Sequence, residues 1–291
     1  MLTVNAPAKV NLYLGVQSQR DPRGYHRVDS VMCSVCLHDT VTVEPSTELQ
    51  VACVPDLGIP AEATTMHKAA VLLGRAVGRE PKLRVRVEQR IPARSGLGGA
   101  SADAAATIVG LCTLWGLDAR SDLVADVARA VGADVPFFLT DGPAWLDGGG
   151  DRLRELFPSV AGTPVVLVRA PGEGVPTPRA YATWDARPIA AGPLDSLLDA
   201  LRTQDRDATW SLMSNNLQAV AAQVAPEVRD VLALLADDAG VVAHMVSGSG
   251  SCCFGVCASR DAAERVARAA QARGWWACAT ELQDAGARVL P

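Results

Sequence analysis

A glycine-rich run at 91–101 reads Ile-Pro-Ala-Arg-Ser-Gly-Leu-Gly-Gly-Ala-Ser and leads directly into an alanine-rich segment. Glycine permits a positive φ and lets the backbone approach a ligand without interference from a Cβ atom. The free N–H groups and the dipole at the start of the following helix attract an anion. The run therefore predicts a phosphate-binding loop. A tight turn between a strand and its packed helix is the structural alternative.

The run does not match the common nucleotide-binding templates. No Lys-Ser/Thr pair follows the glycines, as a Walker A loop requires, and Gly96-x-Gly98-x-x-Ser101 lacks the third glycine of the dinucleotide fingerprint. The catalytic-loop and magnesium motifs of protein kinases are also absent. A phosphate loop here must therefore be of another type.

Two charged residues could act beside such a loop. Asp134 lies between a helix stop at Gly132 and Pro136, where an acid is usually a turn or cap residue. The same carboxylate could serve as a general base or orient an alcohol. Lys9 stands on the polar side of an alternating segment, where a lysine ordinarily faces solvent. If the two side chains meet, the ammonium group keeps the carboxylate ionised and positions it.

A second glycine turn, Ser247-Gly248-Ser249-Gly250-Ser251, lies between two apolar segments. Such a turn is typical of a flexible hairpin connection. Its backbone could equally form a second edge around a bound ligand. The sequence leaves both interpretations open.

An aromatic pair, Gly24-Tyr25-His26, follows the first predicted strand. A ring in such a turn commonly packs on its own strand. It could also stack on a planar base while the imidazole contacts the edge of that base. Tyr181 could supply a second ring on the other face. The sequence alone does not show that these rings face each other.

Alternation and helical periodicity predict the elements that position these residues. In the first strand Val10, Leu12, Leu14 and Val16 share an apolar face, and Lys9, Asn11 and Tyr13 share a polar one. The predicted strands are 4–16, 28–37, 40–44, 49–54, 83–88, 164–169, 241–246, 252–257 and 275–280. The predicted helices are 64–77, 102–115, 122–131 (capped by Ser121), 194–201, 207–223, 227–235 and 259–273.

This element order mixes strands and helices in both halves and predicts an α+β fold. With the helices between 194 and 235 taken as one layer, the second half has the order β-α-β-β-α-β of a ferredoxin-like unit. The glycine-rich break at 148–162 is the candidate boundary. We therefore expect an N-terminal domain over 1–158 and a C-terminal domain over 159–291.

Composition limits the classes of function. The 291 residues are 49% hydrophobic and 20% charged, which indicates a globular protein. The net charge of -5 argues against a nucleic-acid or basic membrane-surface partner. No apolar run approaches the roughly 18 residues of a spanning helix, and Lys9 interrupts any signal-peptide core. We expect a cytoplasmic protein whose eight cysteines are reduced core residues rather than metal ligands.

Four blocks together resemble the GHMP kinase superfamily. The Gly24-Tyr25-His26 block, with Lys9 and Asp134, is similar within it to the 4-diphosphocytidyl-2-C-methyl-D-erythritol kinases of the non-mevalonate route to isoprenoid precursors. The resemblance runs over essentially the whole chain. The four blocks are Pro7-Ala8-Lys9-Val10-Asn11-Leu12, 92–105, Gly132-Ala133-Asp134-Val135-Pro136-Phe137-Phe138 and Ser247-Gly248-Ser249-Gly250.

The resemblance implies a ribosomal-S5-domain-2-like N-terminal domain, a ferredoxin-like C-terminal domain and an ATP-dependent small-molecule kinase. Catalytic roles fall to Lys9 and Asp134. ATP contacts fall to Pro92, Ala93, Arg94, Ser95, Gly96, Leu97, Gly98, Gly99, Ala100, Ser101 and Asp103. Substrate contacts fall to Asn11 on the erythritol part, to Tyr25 and Tyr181 on either face of the cytosine, to His26 on its edge, and to Gly248 and Ser249 near the reacting groups. Mg²⁺ would arrive with ATP, Ser101 would lie near the β-phosphate or this ion, and no protein metal ligand is assigned.

The chain departs from the family pattern at three places. Asp103 stands in Ser101-Ala102-Asp103 where the family often has asparagine, so an extra negative charge is expected near the phosphates, offset by a metal ion or Arg94. Thr64 replaces an asparagine near the adenine. Asn215-Asn216-Leu217-Gln218 replaces an Asn-Asp-Leu-Glu block.

Two alternatives remain. Another GHMP kinase, acting on homoserine, mevalonate or a sugar, would have no base to stack on Tyr25, His26 and Tyr181. A binding or regulatory paralogue would have no need of both Lys9 and Asp134. The oligomeric state is left open by the sequence.

Overall fold

A computed structural model describes residues 1–22 and 24–291. The residues Asp21-Pro22-Arg23-Gly24 are of types that favour a turn after the first strand. Arg23 lies outside the described residues. The strands of the described part are β1 (Leu2–Arg20), β2 (His26–Pro45), β3 (Gln50–Val54), β4 (Leu83–Glu88), β5 (Ala144–Asp147), β6 (Arg152–Leu156), β7 (Pro164–Arg169), β8 (Ser214–Asn215), β9 (Val241–Val246), β10 (Cys253–Cys257), β11 (Trp276–Gln283) and β12 (Arg288–Val289).

Helices alternate with these strands and confirm the α+β class. They are α1 (Thr65–Val77), α2 (Gly99–Trp115), α3 (Asp122–Val131), α4 (Thr177–Ala186), α5 (Leu194–Thr203), α6 (Arg206–Ser211), α7 (Gln218–Val224), α8 (Glu227–Asp237) and α9 (Arg260–Gln271). Short 3₁₀ helices cover Ala61–Ala63 and Pro136–Leu139. Within the described ranges no helix combines the length and the apolar character needed to cross a bilayer.

Two long antiparallel strands, β1 and β2, form the centre of the N-terminal sheet. The two segments predicted at 28–37 and 40–44 are one continuous strand, with a register shift where Lys9 pairs with Ser34. The polar face of β1 does not face solvent, as a lysine on a strand ordinarily would. Its residues Lys9, Asn11 and Tyr13 are all buried. Because α2 and apolar residues of the C-terminal half, such as Phe254, pack against β1, the strand that carries Lys9 lies inside the protein.

Helix α2 carries the glycine-rich loop at its start and packs against β1, β2 and α1. It begins at Gly99, three residues before the predicted start, because Gly98 caps it with a φ of 78°. It ends at Gly116, as predicted, with a φ of 68°. Ser121 stands before α3 as predicted, but its hydroxyl donates to the Asp118 carbonyl instead of capping the helix.

The C-terminal half confirms the β-α-β-β-α-β order. Its strands lie in the order β11-β7-β10-β9, all antiparallel, with α8 and α9 packed on them. The chain then returns to the first half, where β11 pairs with β2 and β12 pairs with β1. Through these two pairings, both halves belong to one continuous sheet. The domain boundary at residue 158 stays a prediction.

The predicted helix at 207–223 is wrong. The chain forms α6, then the two-residue strand β8 beside β1, then α7. The side chains of Asn215 and Asn216 hydrogen-bond to backbone groups of neighbouring segments, which competes with helix continuation.

Helix α4 was not predicted. Pro176 and Pro178 interrupt the helical pattern of its sequence, and its buried residues are Ala180 and Trp184 alone.

Candidate active site

One large cavity, about 920 Å³ in volume, lies between the glycine-rich loop, β1, α4 and the 247–251 turn. The predicted site residues that line it are Lys9, Asn11, Pro92, Ala93, Arg94, Ser95, Gly96, Gly98, Gly99, Ala100, Ser101, Asp134, Tyr181, Gly248 and Ser249. Leu97, Asp103, Tyr25 and His26 do not line it. The structure therefore brings the glycine loop, the Lys9 and Asp134 pair and one aromatic ring to the same cavity.

The ammonium group of Lys9 lies 3.7 Å from a carboxylate oxygen of Asp134. It also donates a 2.6 Å hydrogen bond to Asn11 Oδ1, and Asn11 Nδ2 donates to Ser30 Oγ at 2.9 Å. Lys9 is 2% exposed, whereas the side chain of Asp134 is 36% exposed. The lysine is thus held in place by side chains of β1 and β2, whereas the carboxylate is accessible to a ligand.

Burial lowers the pKa of Lys9 below its usual 10.5, and the negative charge of Asp134, 3.7 Å away, partly offsets this shift. Desolvation disfavours the charged ammonium, while an opposite charge nearby favours it. The pair is therefore coupled electrostatically, so removal of either group changes the other.

The glycine-rich loop contacts the 247–251 turn and β1 at positions that only glycine can occupy. Gly96 has a φ of 81°, and a Cβ atom there would collide with the carbonyl oxygen of Ser247. A Cβ atom at Gly98 would lie 3.0 Å from Lys9 Cγ. The Ser247 hydroxyl donates to the Gly96 carbonyl at 3.0 Å. The two glycine turns predicted separately are therefore parts of one cradle.

A pair of acidic residues lies behind the loop. Asp39 Oδ1 accepts hydrogen bonds from the N–H groups of Arg90 and Ile91, which fixes the entry to the loop. Asp103 is fully buried, and its oxygens lack a hydrogen-bond partner among the described residues. Burial, together with the charge of nearby Asp39, raises the pKa of Asp103 well above its usual value. The expectation that its charge points toward the phosphates has no support in this placement.

An aromatic cluster around His26 adjoins the cavity through Tyr181, which lines it. The ring of His26 stacks on Tyr181 with centroids 5.5 Å apart, and its Nδ1 lies 2.8 Å from the Gln17 carbonyl oxygen. Its Nε2 lies 3.1 Å from a carboxylate oxygen of Asp185, which also pairs with Arg20 at 2.7 Å. Sequence reasoning missed Asp185, because nothing in the sequence distinguishes it from a surface acid. Tyr25 is 64% exposed beside this cluster.

The 215–218 block holds the site together through side-chain amides. Asn215 Nδ2 donates to the carbonyl oxygens of Val246 and Gly248 at 2.9 and 2.8 Å. Asn216 bonds both the N–H and the carbonyl of Val16, each at 2.9 Å. The block therefore joins β1 to the second glycine turn. Two adjacent asparagines before a helix were the available sequence signal.

Comparison with known families matches both halves of the chain. The family model for the N-terminal domain of GHMP kinases matches residues 64–142, and the model for the C-terminal region of GHMP kinases matches residues 197–274. A 4-diphosphocytidyl-2-C-methyl-D-erythritol kinase of Streptomyces avermitilis is 36% identical over 301 residues, covering 100% of this chain and 96% of that protein. The chain belongs to the 4-diphosphocytidyl-2-C-methyl-D-erythritol kinase family. The family's Nocardia farcinica member is 38% identical, over 91% of this chain and 87% of that protein.

Solved structures agree with this family. A crystal structure of 4-(cytidine 5'-diphospho)-2C-methyl-D-erythritol kinase is 35% identical, with a TM-score of 0.77 over 97% of this chain and 99% of that chain. A homoserine kinase from Cytophaga hutchinsonii has a TM-score of 0.76 at 19% identity, over 99% of this chain and 97% of that chain. The second similarity shows the fold alone. The family and its small-molecule kinase class confirm the resemblance seen in the sequence.

Proposed function

We propose that the protein transfers the γ-phosphoryl group of ATP to the 2-hydroxyl of 4-diphosphocytidyl-2-C-methyl-D-erythritol, a step of the non-mevalonate route to isoprenoid precursors. The observation that carries this proposal is the Lys9 and Asp134 pair, which lies where the glycine cradle meets the aromatic end of one cavity. The names of the relatives support the same substrate. Homoserine, mevalonate or a sugar carries no planar base that could stack on the rings of Tyr25 and Tyr181.

Asp134 accepts the proton of the attacking hydroxyl or orients that hydroxyl, since its carboxylate is the exposed member of the pair. Lys9 holds this carboxylate in place and stabilises the charge that develops during transfer. Asn11, bonded to Lys9, contacts the erythritol part. Phosphoryl transfer depends mainly on positioning and charge stabilisation, which is what these three groups supply.

The phosphates of ATP lie in the cradle formed by residues 92–101. Backbone N–H groups at the start of α2 would face these phosphates, and the helix dipole favours negative charge. A smaller cavity of about 260 Å³ adjoins this end and shares Leu57 and Ile59 with the main one. We place the adenine there, next to Thr64, because an apolar rim suits a purine ring.

Mg²⁺ enters with ATP in this proposal. Among the described residues no group of three or more His, Cys, Asp or Glu side chains could hold an ion. Mg²⁺ commonly takes most of its ligands from phosphates and water, with one or two oxygens from the protein. The Ser101 hydroxyl lines the cavity and fits that role. When bound, the ion neutralises charge on the transferred phosphoryl group.

Tyr25 and Tyr181 bind the two faces of the cytosine, and His26 lies at its edge. Support comes from the placement of Tyr181 on the cavity wall and from the stacking of His26 on that ring. Asp185 and the Gln17 carbonyl occupy the two His26 nitrogens, so they fix the orientation of the imidazole. Gly248 and Ser249 lie between the base and the reacting groups.

The cytoplasmic location and the two-domain division also belong to this proposal. All eight cysteines are unpaired, as a reducing compartment that supplies ATP would favour. The family matches at 64–142 and 197–274 lie on either side of the boundary at 158.

The test is release of ADP in a coupled assay with three acceptors side by side: the cytidyl substrate, homoserine and mevalonate. We expect turnover with the cytidyl substrate alone. Turnover with homoserine or mevalonate, and none with the cytidyl substrate, would overturn the proposal. ATP with no acceptor is the control for hydrolysis by water.

A further inference from the structure

Arg169 lies at the end of β7 and lines the main cavity, although no sequence motif singled it out. Its Nε donates to Ser251 Oγ at 3.2 Å, and its Nη2 donates to the Gly172 carbonyl at 3.1 Å. The residue is half-buried. It therefore stands between the second glycine turn and the loop that leads into α4, held by both.

The cavity wall has a definite order from the aromatic end to the reacting pair. Tyr181 and Thr177 lie one turn apart on α4, about 6 Å along the helix axis. The Thr177 hydroxyl lies 3.1 Å from that of Ser249. A Cβ atom at Gly248 would lie 3.3 Å from Lys9 Nζ. Thr177 and Ser249 thus occupy the interval between the base-binding ring and the catalytic lysine.

The guanidinium group of Arg169 has N–H donors that are not used by the hydrogen bonds named above. Arginine carries five N–H donors in a planar fork, and the two hydrogen bonds named above use two of them. Among the described residues no ion pair engages Arg169. A guanidinium held by neutral partners and open to a cavity is suited to a phosphate, which it binds in a bidentate manner.

We propose that Arg169, together with the hydroxyl pair of Thr177 and Ser249, binds the diphosphate of the acceptor. This group makes the site select a nucleoside diphosphate over the corresponding nucleoside. The inference rests on the proposed function, because a linker between base and alcohol must cross this part of the wall. It adds a specificity residue that neither catalysis nor base stacking requires.

The nearest competing ligand is ATP. A Cβ atom at Gly174 would lie close to both the Arg94 carbonyl and the Arg169 guanidinium, so the phosphate cradle is adjacent. The experiment must therefore measure ATP separately from the acceptor.

Calorimetric titration of the full-length protein with CDP, cytidine and ATP, without turnover, tests the inference. The variants are Arg169→Gln, Arg169→Lys and Thr177→Val, with Arg268→Gln as a control that removes a positive charge from the exposed face of α9. Thermal unfolding of each variant verifies the fold.

We expect wild type to bind CDP at least tenfold more tightly than cytidine, and Arg169→Gln to lose about tenfold or more in CDP affinity, as for a hydrogen bond to a charged group. Arg169→Lys should bind CDP more tightly than Arg169→Gln, and Thr177→Val should weaken CDP alone. Cytidine and ATP affinities, and all affinities of Arg268→Gln, should stay within twofold of wild type.

Unchanged CDP affinity in Arg169→Gln, or an equal loss for ATP, would overturn the inference and leave the proposed function standing. If Arg169→Gln does not fold, unchanged CDP affinity in both Thr177→Val and Arg169→Lys would overturn it. If wild type binds neither CDP nor cytidine, the proposed cytidyl substrate itself is wrong.

Discussion

Lys9 and Asp134 face each other at 3.7 Å, one buried and one exposed. Lys9 comes from the first strand, and Asp134 comes from the turn after α3. Their contact depends on the long β1–β2 pairing on one side and on Pro136–Leu139 on the other. Such a pair at the edge of a glycine cradle can position an alcohol and stabilise charge, the two effects on which phosphoryl transfer mainly depends.

Lys9→Met keeps the length of the side chain and removes its charge. We expect kcat to fall by about 10²–10³-fold, as for loss of one stabilising donor. Because burial lowers the pKa of Lys9, wild-type kcat should decline on the alkaline side at a pH below 10.5 as the ammonium loses its proton. Lys9→Met should lack this decline. The control is Lys82→Met, at an exposed lysine, which should keep the wild-type profile.

Asp103→Asn tests the buried carboxyl behind the loop. The pKa of Asp103 is raised in the folded state, so the folded protein holds a proton that the unfolded chain loses above its usual value of 3.8. The free energy of unfolding therefore declines as the pH rises from 3.8 through the folded pKa. Removing the charge should stabilise the protein by about 1 kcal/mol or more at pH 8 and by less at pH 5.

Urea unfolding at the two pH values measures this difference. Asp237→Asn, at an exposed position, is the control and should show little change at either pH. A stability change for Asp103→Asn that is the same at both pH values would show that the carboxyl does not take up a proton on folding.

Asn216→Asp and Gln218→Glu form a matched pair in the 215–218 block. Asn216 Nδ2 donates to the carbonyls of Val16 and Ile189, and an aspartate cannot donate at neutral pH. We expect Asn216→Asp to lower the free energy of unfolding by about 1–3 kcal/mol. Among the described residues, Gln218 uses only its side-chain oxygen, which accepts from Val246 N–H, so Gln218→Glu should lower the free energy of unfolding much less. Equal losses in denaturant unfolding would refute this reading of the two amides.

Tyr25→Ala should raise the KM for the cytidyl substrate by about tenfold, because a stacked ring contributes on the order of 1 kcal/mol beyond its buried area. The KM for ATP should change little. Tyr25→Phe keeps the ring and should resemble wild type. Steady-state kinetics with each substrate varied in turn separates the two effects, and an equal rise for both substrates would remove Tyr25 from the cytosine site.

Much of the fold followed from local pattern. Alternation at 83–88 and the apolar run at 241–246 predicted strands that the structure has. The predicted start of α2 lies within three residues of the observed start at Gly99, and the predicted end before Gly116 agrees with the structure. The break at 212–217 could not be predicted, because it depends on Asn215 and Asn216 bonding to segments far away in the chain.

The site was predictable in its residue types but less so in its surroundings. The cradle residues and the Lys9 and Asp134 pair could be selected from glycine spacing and from family resemblance. The buried state of Asp103 could not, since it depends on how α2 packs against β1, β2 and α1. Asp185 and Arg169 carry no sequence signal, and only tertiary contacts distinguish them from surface residues.

Substitution of Asp134 tests the central claim most directly. In Asp134→Asn the side chain keeps its shape and loses its ability to accept a proton. With ATP and the cytidyl substrate at saturation, we expect kcat to fall by about 10²–10⁴-fold while the Kd of ATP and the thermal unfolding temperature stay near wild type. A variant that folds, binds ATP and turns over at close to the wild-type rate would contradict the account.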